Sequence, residues 1–295
     1  MAIVRDEALI LRVMRYRETS KIVVALTPAF GKVHLLAKGA REYKRGFGGA
    51  LEILTRAHLV FYHQKQRDLH LLHSASVEQP YLRLLSPASV YHLACAALEF
   101  VLRVLPDEDP AGEIYHTLAA FLERGDAEPS PGEIYWALRV FQFRTVALLG
   151  YAPQLTCCAV CGEAVPGAAT FGVAEGGLLC ARCRPQGETR PLSPGALDVL
   201  RSLVTHAGSA GAAAAAGAAG AADAAAAGEG ASARGGHPAF PPVPRRSAGL
   251  DRQVADVVEC FLRYHVTGYQ GLRSLKSLSD WRTLQRAAGR RSARS

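Results

Sequence analysis

The sequence predicts an α+β protein, and three observations predict it. Short runs rich in β-branched and aromatic residues crowd the first 80 residues, helical periodicity replaces them from Ser86, and two Cys-x2-Cys pairs at Cys158 and Cys180 interrupt the helices. At 295 residues the chain is long enough for two or three domains, with a sizeable core.

The strands come first. ALILRVMRY, SKIVVALTP, GKVHLLAKG, AHLVFYHQ and DLHLLHSAS are five candidates, the third opening after a turn at Phe30-Gly31. No helical segment of about 10–15 residues separates them, so a small barrel or sandwich fits better than βαβ units.

From Ser86 the apolar residues Val90, Leu93, Ala94, Ala97, Leu98, Val101 and Leu102 recur at three- and four-residue intervals, the stripe of an amphipathic helix. Ser86-Pro87, Asp109-Pro110, Ser130-Pro131 and Ser193-Pro194 each read as a capping oxygen before a proline at the first helical position. Ser130 with Glu133 adds a capping box. The acidic run Asp107-Glu108-Asp109 reads as a helix start, where negative charge complements the dipole. A third helix is expected to run to Leu149 and stop at Gly150.

Residues 208–236 are nearly all Ala and Gly, without large apolar side chains to pack, HPAFPPVPRR follows, and 207–247 read as a flexible linker. Beyond it Leu250, Val254, Val257, Val258, Phe261, Leu262 and His265 share a helical face, to be buried most simply against the earlier helices. The expected organisation is therefore a β domain over 1–80, a helical domain over 81–156 and 191–206, a cysteine module over 157–190, the linker over 207–247, and a helical segment with a basic tail over 248–295.

Cys158 and Cys161 form one pair and Cys180 and Cys183 the other, with 18 residues between them. Two intervening residues let both thiolates of a pair reach one ion, and two pairs supply the tetrahedron that zinc accepts. Cys157 is an alternative partner for Cys161, but with Cys158 the pairs match. A filled four-sulfur shell leaves no position for water or substrate, so the metal would be structural. A redox pair is weaker without a thioredoxin-like βαβ context. The N-terminus carries acids and lacks a long apolar run, and no stretch reaches about 18 consecutive apolar residues. The expected address is cytoplasmic, where thiols stay reduced and a disulfide framework is disfavoured.

Charge is unevenly spread around the net +8. Residues 1–80 hold 13 Lys/Arg against 7 Asp/Glu, residues 81–244 hold 10 against 15, and residues 245–295 hold 11 against 4. Two basic ends around an acidic middle suggest a polyanionic partner. In AKGAREYKRGFGGAL, Lys38, Arg41, Lys44 and Arg45 surround Tyr43 and Phe47, with Gly39, Gly46, Gly48 and Gly49 marking a mobile loop. Cations for phosphates interleaved with rings for stacking suit a single-strand binder. Arg15, Arg17, Lys32 and Arg67 could extend the patch. No Walker-type loop, GxSxG elbow or HExxH is present. His63, His70 and His73 sit on strand positions without a recognisable ligand spacing. An enzyme is not expected. The rival readings are an RNA-binding barrel-plus-ribbon protein of translation or transcription, a zinc hydrolase, and a scaffold for protein contacts.

Three blocks together carry a resemblance: ALILRVMRYRETSKIVVALTPAFGKVHLLAKGAR at 8–41, LLGYAPQLTCCAVCG at 148–162 with LLCARC at 178–183, and the weaker FLRYHVTGYQGLRSLKSL at 261–278. In their combination and order the chain resembles the RecO family of bacterial recombination mediators. The resemblance implies an N-terminal OB-fold barrel, a helical domain and a four-cysteine zinc module. It also implies single- and double-stranded DNA binding, strand annealing and, with RecR, help in loading RecA onto strands coated by single-strand-binding protein (SSB). The family's basic motif falls on Lys38 and Arg41, and its metal ligands fall on Cys158, Cys161, Cys180 and Cys183. Contact with the SSB C-terminal tail is expected on the helical domain, with Arg263, Arg273 and Lys276 as a candidate surface. The implied location is cytoplasmic and nucleoid-associated.

Overall fold

The computed structural model describes residues 2–42, 47–64, 66–127, 131–165, 167, 169–183, 185–203 and 248–277. Lys44, Arg45, Ser130, the expected linker and the basic tail from 278 lie outside the described residues. The described residues fall into two compact units, one running to Leu138 and joined by the segment from Leu272, the other spanning Arg139–Gly271.

In the first unit, β1 (Ala2–Tyr16), β2 (Ser20–Thr27), β3 (Gly31–Ala37), β4 (Thr55–His63) and β5 (His70–Pro80) close a barrel in the order β1-β2-β3-β5-β4. All neighbours are antiparallel except β3 and β5, whose parallel contact is limited to Leu35–His70 and Leu36–Leu71. This order is that of an OB-fold. Closure asks one strand to serve two neighbours at different angles. A register shift between Ile10 and Arg12 does this, bending the 15-residue β1 so that its first half pairs with β4 and its second with β2. Alternate residues point inward: Ala8 and Ile10, Val23 and Ala25, Val33 and Leu35, Leu59 and Phe61 are at most 1% exposed. Each large side chain so buried contributes roughly 1.5–3 kcal/mol. A 3-10 turn at Gly48–Leu51 adds Ala50 and Leu51 to the same core.

Helices α1 (Ala88–Val104) and α2 (Gly112–Ala127) follow. Two polar ties join α2 to the barrel: the Tyr115 hydroxyl donates to Glu7 at 3.2 Å, and the Arg56 guanidinium meets Glu123 at 3.0 Å. Two expected helix starts are corrected. The amides of Val90 and Tyr91 donate to the Pro87 carbonyl, so Pro87 occupies the capping position and no side chain caps α1. Ser86 instead closes the preceding 3-10 turn at Leu82–Leu85. Asp107, Glu108, Asp109 and Pro110 do not begin α2, which starts at Gly112. They form a loop that folds back onto the barrel. Gly31 permits this: at φ +65°, a Cβ there would stand 1.9 Å from the Asp109 carbonyl oxygen.

Helix α3 (Pro131–Leu148) ends as expected before Gly150, whose φ of +86° suits a residue without a side chain. In the second unit, β6 (Gln154–Cys158), β7 (Ala169–Gly172), β8 (Gly177–Leu179) and β9 (Thr189–Leu192) form a sheet ordered β6-β8-β7-β9. Helix α4, described over 194–203, opens on Ser193, whose hydroxyl accepts the Ala196 amide at 3.3 Å, the cap expected there. Helix α5 (Ala248–His265) buries Val254, Val257, Val258, Phe261 and Leu262. Its stripe meets the earlier helix α4, where a Cβ at Gly195 would stand 3.3 Å from Leu250, and also the small sheet: Phe261 stands edge-on to Phe171 at 6.3 Å and Arg190 pairs with Asp256 at 2.6 Å. Among the described residues no helix is long and apolar enough to cross a membrane.

Candidate nucleic-acid interface and metal centre

The β1–β2 turn and the loop after β3 are stitched together. The Arg41 amide donates to the Thr19 carbonyl at 2.9 Å, and its guanidinium donates to the Glu18 carbonyl at 2.6 Å. Arg17, at φ +53° in that turn, lies 5.4 Å from the Tyr16 ring centroid. Arg15, Arg17 and Arg41 are all exposed. Lys38, also exposed, lines a cavity of about 160 Å³ with Leu36, Tyr62, Gln64 and Arg67. Tyr62 in turn stands edge-on to His73 at 5.9 Å. The end of β3 and Gln64, Arg67 and Leu69 between β4 and β5 thus share one depression, with cations and an aromatic ring on its walls.

Two residues expected in this patch lie elsewhere. Lys32 is only 8% exposed, and its ammonium donates to the carbonyls of Leu102 and Leu105 at 3.2 and 2.6 Å. Those carbonyls belong to the last turn of α1 and to its C-cap residue, where intrahelical donors are lacking and the dipole has its negative end. Asp107 completes the shell at 3.1 Å, its carboxyl held below the usual range by Lys32 and His34 although burial acts against the charge. Lys32 therefore caps a helix and is not available to phosphate. Phe47 is buried in the barrel core, so its ring is not open to bases. Tyr43, Lys44 and Arg45 lie outside the described residues.

The expected partner residues divide between the units. Arg263, exposed on α5 in the second unit, is paired with Glu259 at 2.7 Å. Arg273 and Lys276 are exposed in the first unit, where the Arg273 amide donates to Glu99 at 3.0 Å.

Cys158 ends β6, Cys161 lies in the turn after it, Cys180 follows β8, and Cys183 lies in the next turn. The four sulfurs lie within 4.8 Å of one another. Cys161 and Cys180 are 3.7 Å apart, which matches the edge of about 3.8 Å that Zn–S bonds of about 2.3 Å impose on a tetrahedron. Cys157 stands outside the group, bridged to Ala164. The backbone prepares the thiolates. Amides of Cys161 and Cys180 pull the Cys158 thiol down to about 6, and amides of Cys183 and Arg182 lower Cys180. Desolvation and the bond to Cys158 push Cys161 up, while bonds to Cys161 and Cys180 push Cys183 up to about 12. Backbone amides thus favour the thiolate at the first cysteine of each pair, and the second carries a proton that a cation can replace. The arrangement can hold one metal ion.

Among the described residues two further groups of ligand atoms lie within 4.8 Å of one another, one of them Glu7, His58 and Glu78. In the other, His63 and His70 converge, with Glu108 facing both.

Known proteins resemble the chain over most of its length. Residues 1–81 match the family described as Recombination protein O N terminal, and residues 89–215 match Recombination protein O C terminal. A DNA repair protein RecO of Anaeromyxobacter sp. (strain K) is 36% identical over 204 residues, covering 68% of this chain and 78% of the relative. Another, of Geobacter metallireducens, is 36% identical over 181 residues, covering 61% and 72%. A third, of Rhodopirellula baltica, is 30% identical over 202 residues, covering 67% and 74%.

Proposed function

The chain belongs to the RecO family of DNA repair proteins, and from that premise we propose that it acts as a recombination mediator, annealing strands and, with RecR, helping RecA load onto SSB-coated single strands. Its role is DNA repair by binding rather than by catalysis. The observation that carries the reading is the end of the closed barrel where Arg41 is tied to the Thr19 turn beside exposed Arg15 and Arg17, with Lys38 lining the neighbouring depression.

In this reading the mechanism makes no bond. Lys38, Arg41, Arg15 and Arg17, joined by Lys44 and Arg45, neutralise phosphates and release counterions, which draws either single or double strands to the barrel. Tyr62 and Arg67 flank the depression in which an unpaired base can stack, leaving its pairing edge to a complementary strand. Domain boundaries follow the same division of labour: the barrel over 1–80 for DNA, the helical parts over 81–156 and 191–206 for partners, and the cysteine module over 157–190 as a brace. The segment 248–295 would contribute Arg263, Arg273 and Lys276 toward the acidic SSB tail, while 207–247 would serve as a linker. The proposed location is the cytoplasm, at the nucleoid.

Zinc suits the four-cysteine site, because four sulfurs within 4.8 Å of one another can supply a tetrahedral set and backbone amides favour the thiolate at Cys158 and Cys180. Such an ion would fasten the strand ends of β6 and β8 and supply no reaction. The test is annealing of complementary strands coated with SSB, with and without the SSB tail. Faster annealing that needs the tail supports the mediator reading. No acceleration on either substrate, or preference for RNA over single-stranded DNA, overturns it.

A further inference from the structure

His63 ends β4 and His70 begins β5. The register that sets Tyr62 against Leu71 brings these two histidines opposite each other, with ring centroids 4.7 Å apart and planes tilted by 40°. Phe30 lies 4.9 Å from His63 and Phe61 lies 6.0 Å from His70, so packing orients both rings. Glu108 arrives from the loop after α1. Its backbone, at φ +55°, is held by its amide on the Lys32 carbonyl at 2.9 Å. One carboxylate oxygen stands 2.9 Å from His70 Nε2 and the other 3.5 Å from His63 Nε2. A ligand atom from each of the three residues lies within 4.8 Å of the others.

We infer that His63, His70 and Glu108 form a second metal site, distinct from the four cysteines and selective for a divalent transition ion such as zinc or cobalt. A tetrahedral ion with bonds of about 2.0–2.1 Å sets its ligand atoms about 3.3–3.4 Å apart, and the two carboxylate distances straddle that value. Two imidazoles and one carboxylate favour ions of zinc's class over magnesium or calcium, which prefer oxygen alone. The side chain of His70 is fully buried, whereas His63 is 16% and Glu108 28% exposed, so the cluster opens to solvent on one side, where water can complete the shell. The adjacent acid, Asp107, is engaged by Lys32 and His34 and leaves Glu108 as the carboxylate ligand.

Ion binding requires a bare Nε2 on each ring. The Gln64 amide approaches His70 Nδ1 at 3.4 Å, which leaves the ring proton on Nε2, 2.9 Å from Glu108. On binding, that proton moves to Nδ1 and the Gln64 amide turns away, a change in the loop that Gln64 opens. Gln64 and Arg67 in that loop also line the depression beside Lys38. Metal occupancy thereby sets the conformation of one wall of it. The site itself does not depend on the DNA-binding reading.

The test uses the full chain with its four-cysteine site filled with zinc, titrated with cobalt(II) and followed by visible absorption and by metal analysis. The expected result is saturable uptake of one further ion, with weak d–d bands and no sulfur-to-metal charge-transfer band. His63→Phe keeps the ring packing and removes the nitrogen; Glu108→Gln removes the charge. Each is expected to weaken that uptake at least about tenfold while the zinc content stays the same. The titration of the unaltered chain decides the matter even where a variant does not fold: absence of a sulfur-free cobalt spectrum overturns the inference. Undiminished uptake in both folded variants overturns it equally.

Discussion

The Glu99 carboxylate receives both the backbone N–H and the hydroxyl of Ser274 at 2.9 Å. The Arg273 amide adds a third bond at 3.0 Å and Arg103 an ion pair at 2.7 Å, so one side chain of α1 fastens the segment that begins at Leu272. Burial acts against this charge, yet the amides of Ser274 and Arg273 and the Arg103 guanidinium hold the carboxyl below the usual range.

The pH dependence follows from that direction. A carboxyl whose folded pKa lies below its unfolded value of about 4.3 stabilises the fold above that value and loses the contribution as pH falls through the lower folded one. Glu99→Gln is expected to cost about 1–3 kcal/mol near neutral pH and less in acid. It should also speed hydrogen exchange at the Arg273 and Ser274 amides. Urea unfolding at two pH values, with exchange of those amides, checks both outcomes.

Lys32 and Lys38 are expected to behave oppositely. Lys32→Met removes donors from the Leu102 and Leu105 carbonyls at the end of α1 and should destabilise by about 1–3 kcal/mol. It should leave the salt dependence of DNA binding unchanged. Denaturation and a salt titration on the same variant separate the two effects.

Cys180→Ser is expected to remove one metal equivalent per chain and expose the ends of β6 and β8 to proteolysis, whereas Cys157→Ser should do neither. The difference rests on geometry, since Cys158 stands among the four sulfurs and Cys157 does not. Zinc analysis and limited proteolysis of the two variants check it. A chelator should reproduce the Cys180→Ser result.

Local chemistry made much of this legible in the sequence. Alternation marks the five strands because one face of each enters the barrel. The paired cysteine spacing marks the knuckles because a two-residue gap lets two sulfurs meet one ion. Ser193 and Gly150 mark a helix start and stop through their own backbone needs. Contacts set by the closed barrel were not legible. A lysine's charge does not reveal which face of the barrel it occupies, so Lys32 read like Lys38. Asp107-Glu108-Asp109-Pro110 has the composition of a helix start, and only the close approach at Gly31 diverts it into a loop. The meeting of His63 and His70 depends on register shifts at Arg56/Ala57 and Val60/Phe61. A slip of one residue would turn either ring to the other face.

The most direct measurement is the slope of log affinity against log salt for single-stranded DNA, compared between the parent chain and Lys38→Ala/Arg41→Ala. With those side chains on phosphates, the variant binds more weakly and its slope falls by about one unit per lost contact. An unchanged slope in the folded double variant contradicts the assignment of this end of the barrel to DNA.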